Sequence, residues 1–89
     1  MTITYEDVVK AQQTQNKVIR KTNLEFSETF SKICGANVYL KNEYEQKTGS
    51  FKIRGAYYKI KSLTDDEKNK GVVAASAGNH SQGVAFASH

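Results

Sequence analysis

The spacing of apolar residues predicts a helix at the start of the chain. Thr4 followed by Asp7 is typical of a helix start, and a loose apolar stripe continues to about Arg20. The next segment, residues 21–26, has no such stripe and is expected to be a connection.

A second, short helix is predicted after this connection. Ser27 can cap its start, and Gly35 follows Cys34 as a typical C-terminal stop. Phe30 and Ile33 lie three residues apart, so we expect them to face inward.

A third helix is the most strongly patterned one, and a lysine stands at its beginning. Ser50 is a candidate N-cap, and Lys52 follows in the first turn. The apolar stripe behind it continues to about residue 63 and consists of Ile53, Ala56, Tyr57, Ile60 and Leu63.

The remaining pattern alternates strands with helices. Residues 37–41 are predicted to form a strand, and 42–49 a polar loop. Residues 64–71 are predicted as a short helical turn, and the apolar run 72–75 as a strand buried on both faces. A last helix opens at 82–89. This order predicts a parallel, three-layer α/β sheet with right-handed crossovers.

Composition narrows the class of protein. The 89 residues are 38% hydrophobic and 25% charged, with no apolar run long enough to cross a membrane. The net charge of +4 comes from lysines interleaved with acids, which is unlike the clustered footprint of a nucleic-acid-binding protein. A single cysteine, Cys34, and no readable secretory signal lead us to expect a cytoplasmic location.

Two segments carry candidate chemistry. Lys52 lies at the positive end of a helix dipole, which suits a nucleophilic amine that forms an imine with a carbonyl compound.

The loop 76–80 joins the predicted buried strand to a helix, which is where α/β sheets place ligands. We expect Gly78 to turn the backbone with positive φ, so that amide groups converge on a carboxylate or phosphate. The alternative is a plain turn in which Ser76 and Asn79 cap locally, and both interpretations stay open.

Other common sites find no support. Gly78 and Gly83 do not fall in a dinucleotide-binding frame, and residues 48–54 do not form a P-loop. His80 and Cys34 lack the spacing of metal ligands, so no metal site is predicted. No serine has an identifiable His and Asp partner set.

Together the two segments resemble the pyridoxal-phosphate enzymes of the tryptophan-synthase-like fold, or fold type II. Among these they resemble the threonine/serine dehydratases, which carry a Ser-Phe-Lys-x-Arg-Gly-Ala segment and, one strand later, a Ser-x-Gly-Asn-His loop. Residues 50–56 and 76–80 match these two motifs, and the likeness extends from about Lys21 to the end of the chain. It is strongest with the short, catabolic type.

The resemblance implies a role for each matching residue. Lys52 would hold pyridoxal 5'-phosphate covalently, Phe51 would lie against its ring, and Asn79 would bind the ring hydroxyl. The substrate carboxylate would be bound by the backbone of Ser76, Ala77, Gly78, Asn79 and His80.

The implied reaction is β-elimination, with the freed Lys52 amine removing the Cα proton. L-Threonine, with L-serine as a second substrate, would give 2-oxobutanoate or pyruvate and ammonia. Serine racemases are the nearest alternative, but they typically carry a serine where this chain has Ala77. A non-catalytic relic of the same fold is a third possibility.

The resemblance also implies a domain division and partners. Residues 1–35 would form a helical segment that packs on a large domain, and 36–89 the first part of the small cofactor-binding domain. The family's phosphate-binding loop lies far downstream, so we expect this to be an N-terminal fragment that is inactive alone. The full-length protein would be a homo-oligomer, with an AMP-type effector as a further possible partner.

Overall fold

The computed structural model describes all 89 residues, as five α-helices, one 3-10 turn and two short strands. In chain order these are α1 (Tyr5–Gln15), β1 (Leu24–Phe26), α2 (Glu28–Cys34), β2 (Tyr39–Lys41), the 3-10 turn Glu43–Glu45, α3 (Lys52–Lys61), α4 (Asp65–Lys70) and α5 (Asn79–Ser88). No helix combines the length and apolar character that crossing a membrane requires.

The helix starts that carry local capping residues are confirmed. Thr4 and Asp7 form a reciprocal capping box on α1, and Thr64 and Glu67 form another on α4. The Ser27 hydroxyl accepts the N–H of Phe30 at 3.2 Å, as predicted for α2. These caps satisfy amides that have no partner inside the helix.

Two boundaries near the start of the chain differ from the prediction. Helix α1 ends at Gln15 and not at about Arg20, and it is followed by a turn in which the amides of Val18 and Ile19 both donate to the Gln15 carbonyl. Residues 21–26 are not only a connection, since β1 pairs antiparallel with β2. The pairing joins residues that are distant in the sequence, and a strand of three residues is too short to show an alternating apolar pattern.

The mixture of helices and strands agrees with the α/β class, but the predicted parallel pairing does not occur among the 89 residues. The two strands that pair are antiparallel, and residues 72–75 form no ladder. Val73 is fully exposed, because no neighbouring strand lies beside this extended segment. Phe30 and Ile33 also lie exposed instead of inward, since no element packs on that side of α2.

The main tertiary contact is the packing of α5 against α3. Ile53 is fully buried and Ala56 is 6% exposed, and these two are the buried apolar residues of the chain. Gly83 of α5 lies directly on them: a Cβ at this position would come within 3.2 Å of the Ile53 nitrogen and the Lys52 carbonyl carbon. The small residue at 83 therefore sets how closely the two helices approach.

The proposed division at residue 35 stays a prediction. The β1–β2 ladder and contacts between α1 and α3 both join the segment 1–35 to the segment 36–89.

Substituting the two helical glycines separately tests the role of this close contact. Gly55→Ala meets nothing within 4 Å, so we expect it to stabilise the protein by about 0.5–1 kcal/mol through helix propensity. Gly83→Ala gains the same propensity but places its methyl group against the rigid backbone of α3, so we expect no gain or a net loss. Urea unfolding followed by circular dichroism measures both, and an equal gain for the two variants would contradict this packing.

Candidate active site

Lys52 is the first residue of α3, as the sequence predicts for the reactive lysine. The N-cap is Phe51 and not Ser50, and Phe51 has no polar atom to cap with. Ser50 lies one residue earlier, where its hydroxyl accepts the Lys52 N–H at a long 3.4 Å. Gly49 has a φ of 77°, so a left-handed residue turns the chain immediately before this segment.

The side chains of Lys52 and Phe51 lie together on the surface. The Lys52 Nζ is 5.4 Å from the centroid of the Phe51 ring, within the range of a cation–π contact. Phe51 is 58% exposed and Lys52 is exposed too, so the 89 residues bury neither side chain. No other element of the 89 residues covers these two side chains, which leaves an amine and an aromatic face open to a ligand.

The second predicted segment lies at the start of α5. Asn79 is the first residue of the helix, and the preceding Gly78 is its N-cap. The φ of Gly78 is 171°, so the expectation of a positive φ is wrong and the backbone is extended there. The Ser76 hydroxyl accepts the Gly78 N–H at 3.1 Å, and the Ser81 hydroxyl donates to the Gly78 carbonyl at 2.6 Å. The two serines therefore fix the loop.

The helices that carry the predicted site differ from the other three in their first turn. A side-chain cap closes α1, α2 and α4, whereas neither α3 nor α5 has one on its N-cap residue. The amides at the start of α5 consequently have no capping acceptor, and the helix dipole adds positive potential there. This arrangement suits a carboxylate or phosphate ligand. Ser76 also makes the local bond of the plain-turn alternative, so the two interpretations describe one loop.

The contact at Gly83 brings these two helix starts to the same region. Gly83 lies four residues after Asn79, about 6 Å along the helix axis, and it touches the backbone of Lys52. The lysine at the start of α3 therefore lies beside the first turns of α5. A primary amine, an aromatic face and free helix-start amides share one side of the helix pair.

A polar network behind Lys52 is the part of the site that sequence reasoning missed. Arg54 binds Glu43 with one edge of its guanidinium, at 2.7 Å from Nε to Oε2 and 2.9 Å from Nη2 to Oε1. The Thr22 hydroxyl donates to the same carboxylate, and the Gln15 side chain donates to the Arg54 carbonyl at 2.6 Å. Three separate segments thus meet at α3, and no local spacing in the sequence indicates this.

The network shifts the pKa values of its two charged members. The hydrogen bonds from Arg54, with a smaller contribution from Thr22, lower the pKa of Glu43 from 4.5 to about 2, against the opposing effect of burial. The hydrogen bonds to Glu43 raise the pKa of Arg54. The pair stays ionised at neutral pH and anchors the first turn of α3.

Most of the sequence matches a known protein family. The sequence model of the family described as "Pyridoxal-phosphate dependent enzyme" matches residues 16–89. The chain belongs to this family.

Curated relatives agree with the family. L-threonine ammonia-lyase of Thermotoga maritima is 56% identical over 85 residues, covering 96% of this chain and 21% of that protein. The catabolic L-threonine dehydratase TdcB of Escherichia coli is 51% identical over 84 residues, covering 94% of this chain and 26% of that protein. The chain thus spans about a fifth to a quarter of the length of these relatives.

The fold is shared with larger enzymes of known structure. Serine racemase from Dictyostelium discoideum superposes with a TM-score of 0.89 at 43% identity, over 99% of this chain and 29% of that one. A threonine deaminase from T.th. superposes with a TM-score of 0.80 at 38% identity, over 97% of this chain and 30% of that one. The fold-class prediction is confirmed by these neighbours, although the parallel pairing does not occur among the 89 residues.

The prediction of pyridoxal phosphate as cofactor is confirmed at the level of the family. The residues present also fit this group chemically. It combines an aldehyde, an aromatic ring and a ring hydroxyl, and the site offers an exposed primary amine on Lys52, the exposed Phe51 ring beside it and the Asn79 amide at the start of α5.

Neutralising the carboxylate behind Lys52 tests the anchoring network. We expect Glu43→Gln to lower the free energy of unfolding by about 1–3 kcal/mol at neutral pH, because a charged hydrogen-bond acceptor of Arg54 is lost. The matched control is Glu45→Gln on the same 3-10 turn, whose carboxylate makes no ion pair and should matter little.

The pH dependence of the same variants gives a second measure. Because folding lowers the pKa of Glu43 from 4.5 to about 2, its stabilisation is fully present above about pH 4.5 and is lost as the pH falls towards 2. Urea unfolding across this range should show the difference between the unmodified protein and Glu43→Gln shrinking. A constant difference would mean that the ion pair is not its source.

Proposed function

We propose that this chain belongs to a pyridoxal-phosphate-dependent ammonia-lyase that converts L-threonine to 2-oxobutanoate and ammonia. L-Serine, which would give pyruvate, is the second substrate. The observation that carries the proposal is the pairing of Lys52 with the uncapped start of α5, held together by the contact at Gly83. The high identity to proteins named threonine ammonia-lyase and threonine dehydratase supports the substrate.

Each residue of the two motifs has a proposed role. Lys52 attaches the cofactor through its amine, Phe51 packs against the cofactor ring, and Asn79 binds the ring hydroxyl. The substrate carboxylate lies in the loop formed by Ser76, Ala77, Gly78, Asn79 and His80. The exposed side chains of Phe51 and Lys52 and the free amides of α5 support this assignment.

The reaction needs a base near the substrate α-carbon. When bound, pyridoxal phosphate supplies the electron sink for the carbanion formed at that carbon. Lys52 Nζ, once released by the incoming amino acid, would take the Cα proton, and the β-hydroxyl would leave with a proton as water. Hydrolysis of the resulting enamine would then give the 2-oxo acid and ammonia. Carboxylate binding at the start of α5 orients the substrate so that its Cα–H bond faces Lys52.

Serine racemisation is the second candidate, favoured by the superposition on a serine racemase. Racemisation requires a second proton carrier on the face of the substrate opposite to Lys52. The methyl side chain of Ala77 holds no proton that could be exchanged, so this position favours elimination. Product analysis with L-serine separates the two, since a racemase forms D-serine and an ammonia-lyase forms pyruvate.

Several wider properties follow from the family assignment and belong to this proposal. We expect residues 1–35 to pack on a large domain, 36–89 to start the small cofactor-binding domain, and the enzyme to be a cytoplasmic homo-oligomer. Relatives are named as both catabolic and biosynthetic dehydratases, so the protein acts either in threonine degradation or in isoleucine biosynthesis. Control by an AMP-type effector is a further expectation.

Replacing the proposed base tests the activity. In the full-length protein, we expect Lys52→Ala to lower threonine turnover by about 10²–10⁴-fold or more, since both cofactor attachment and the base are lost. Lys59→Ala removes an exposed lysine of the same helix and should leave turnover unchanged. The assay is 2-oxobutanoate release. Turnover that survives Lys52→Ala would refute the proposed role, and no turnover by the unmodified protein would favour the non-catalytic relic.

The 89-residue chain alone should not turn over threonine. Only seven of its residues are buried, two of them apolar, so the first turns of α3 and α5 are held by a small core. We expect broad thermal unfolding. We also expect 2-oxobutanoate to form no faster than it does with free pyridoxal phosphate alone. Detectable specific turnover by the purified 89 residues would contradict this expectation.

A further inference from the structure

A second concave site lies on the side of α3 that faces α1. It shares Arg54 and Thr22 with the polar network but contains none of the residues proposed to bind cofactor or substrate. The cavity measures about 260 Å³ and lies between the end of α1, the segment 19–22, and the side chains of Lys41 and Arg54. Gln12, Asn16, Arg20 and Lys21 complete its polar lining, and no acidic residue lines it.

Three cations of this cavity form no ion pair, although the Glu43 carboxylate is near enough to Lys41 to be stabilised by its charge. The Arg20 guanidinium donates from Nη1 to the backbone carbonyl of Glu45 at 2.9 Å, and Lys41 Nζ donates to the carbonyl of Thr22 at 2.8 Å. Both partners are neutral, and none of Arg20, Lys21 and Lys41 forms an ion pair. Arg54 differs, because Glu43 neutralises it.

The wall of the cavity is fixed before any ligand arrives. Gln46 is 3% exposed, and its side chain accepts the Arg20 N–H at 2.7 Å and donates to the Arg20 carbonyl at 2.8 Å. Thr22 is 5% exposed and bonds to the Glu43–Arg54 pair. The backbone that carries Arg20 and Lys21 is therefore held by buried side chains.

We propose that this cavity, called here the Arg20–Lys41 pocket, binds a small dianion of the phosphate class. Cations held by neutral carbonyls keep their attraction for an anion, and charge-assisted hydrogen bonds to phosphate oxygens are the strong kind. The Gln12 and Asn16 amides add neutral donors at the rim. This proposal does not depend on the reaction at Lys52.

Titration with inorganic phosphate tests the proposal. The sample is the full-length, cofactor-loaded protein, and binding is measured by calorimetry at low ionic strength. We expect one binding event that Arg20→Gln or Lys21→Gln weakens about tenfold, the loss of one charged hydrogen bond. Lys17→Gln is the matched control, because it removes the same charge just after α1 without lining the pocket. Sodium chloride should weaken the binding through screening.

Each outcome decides the matter. Binding that falls with Arg20→Gln or Lys21→Gln and survives Lys17→Gln supports the pocket. Equal losses in all three variants would mean a diffuse charge effect and would overturn the proposal. Absence of phosphate binding would also overturn it, since it would mean that another group, such as a carboxylate of the same polypeptide, already neutralises these cations. Circular dichroism of each variant separates a lost site from a lost fold.

Discussion

The structure depends on the close approach of α5 to α3 at Gly83. A side chain at this position would press on the backbone of Lys52 and Ile53, so glycine allows the two helices to meet at backbone distance. This contact buries Ile53 and Ala56, the small apolar core of the chain. It also joins the two first turns that carry the candidate chemistry. Packing and site geometry therefore have the same origin.

The opposite side of α3 is held by polar contacts. Gln15 donates to the carbonyl of Arg54, and the Arg54 guanidinium binds Glu43 with two hydrogen bonds. Both groups are partly desolvated, and the two charge-assisted hydrogen bonds of the bidentate pair offset the cost of that desolvation. Packing on one side and an ion pair on the other fix the first turn of α3, while Lys52 itself stays exposed. The proposed nucleophile is thus positioned on a rigid helix start without being covered.

The features that could be predicted from the sequence are local ones. Capping boxes at Thr4 and Thr64 act within four residues, and the lysine and loop motifs lie in short contiguous segments, so each could be identified by spacing. The features that were missed or wrong depend on distant partners. The strand β1 exists only because β2 lies beside it, and Arg54 finds Glu43 across a turn. Residues 72–75 have the composition of a buried strand but no neighbour to pair with.

The assignment of the site depends above all on Lys52 being the amine that holds the cofactor. Borohydride reduction of the protein loaded with pyridoxal phosphate, followed by peptide mapping with mass spectrometry, tests this directly. We expect a single phosphopyridoxyl label on Lys52, with Lys47 and Lys59 on either side of it unlabelled. A label on another lysine, or a cofactor that dissociates without leaving any label, would contradict the assignment.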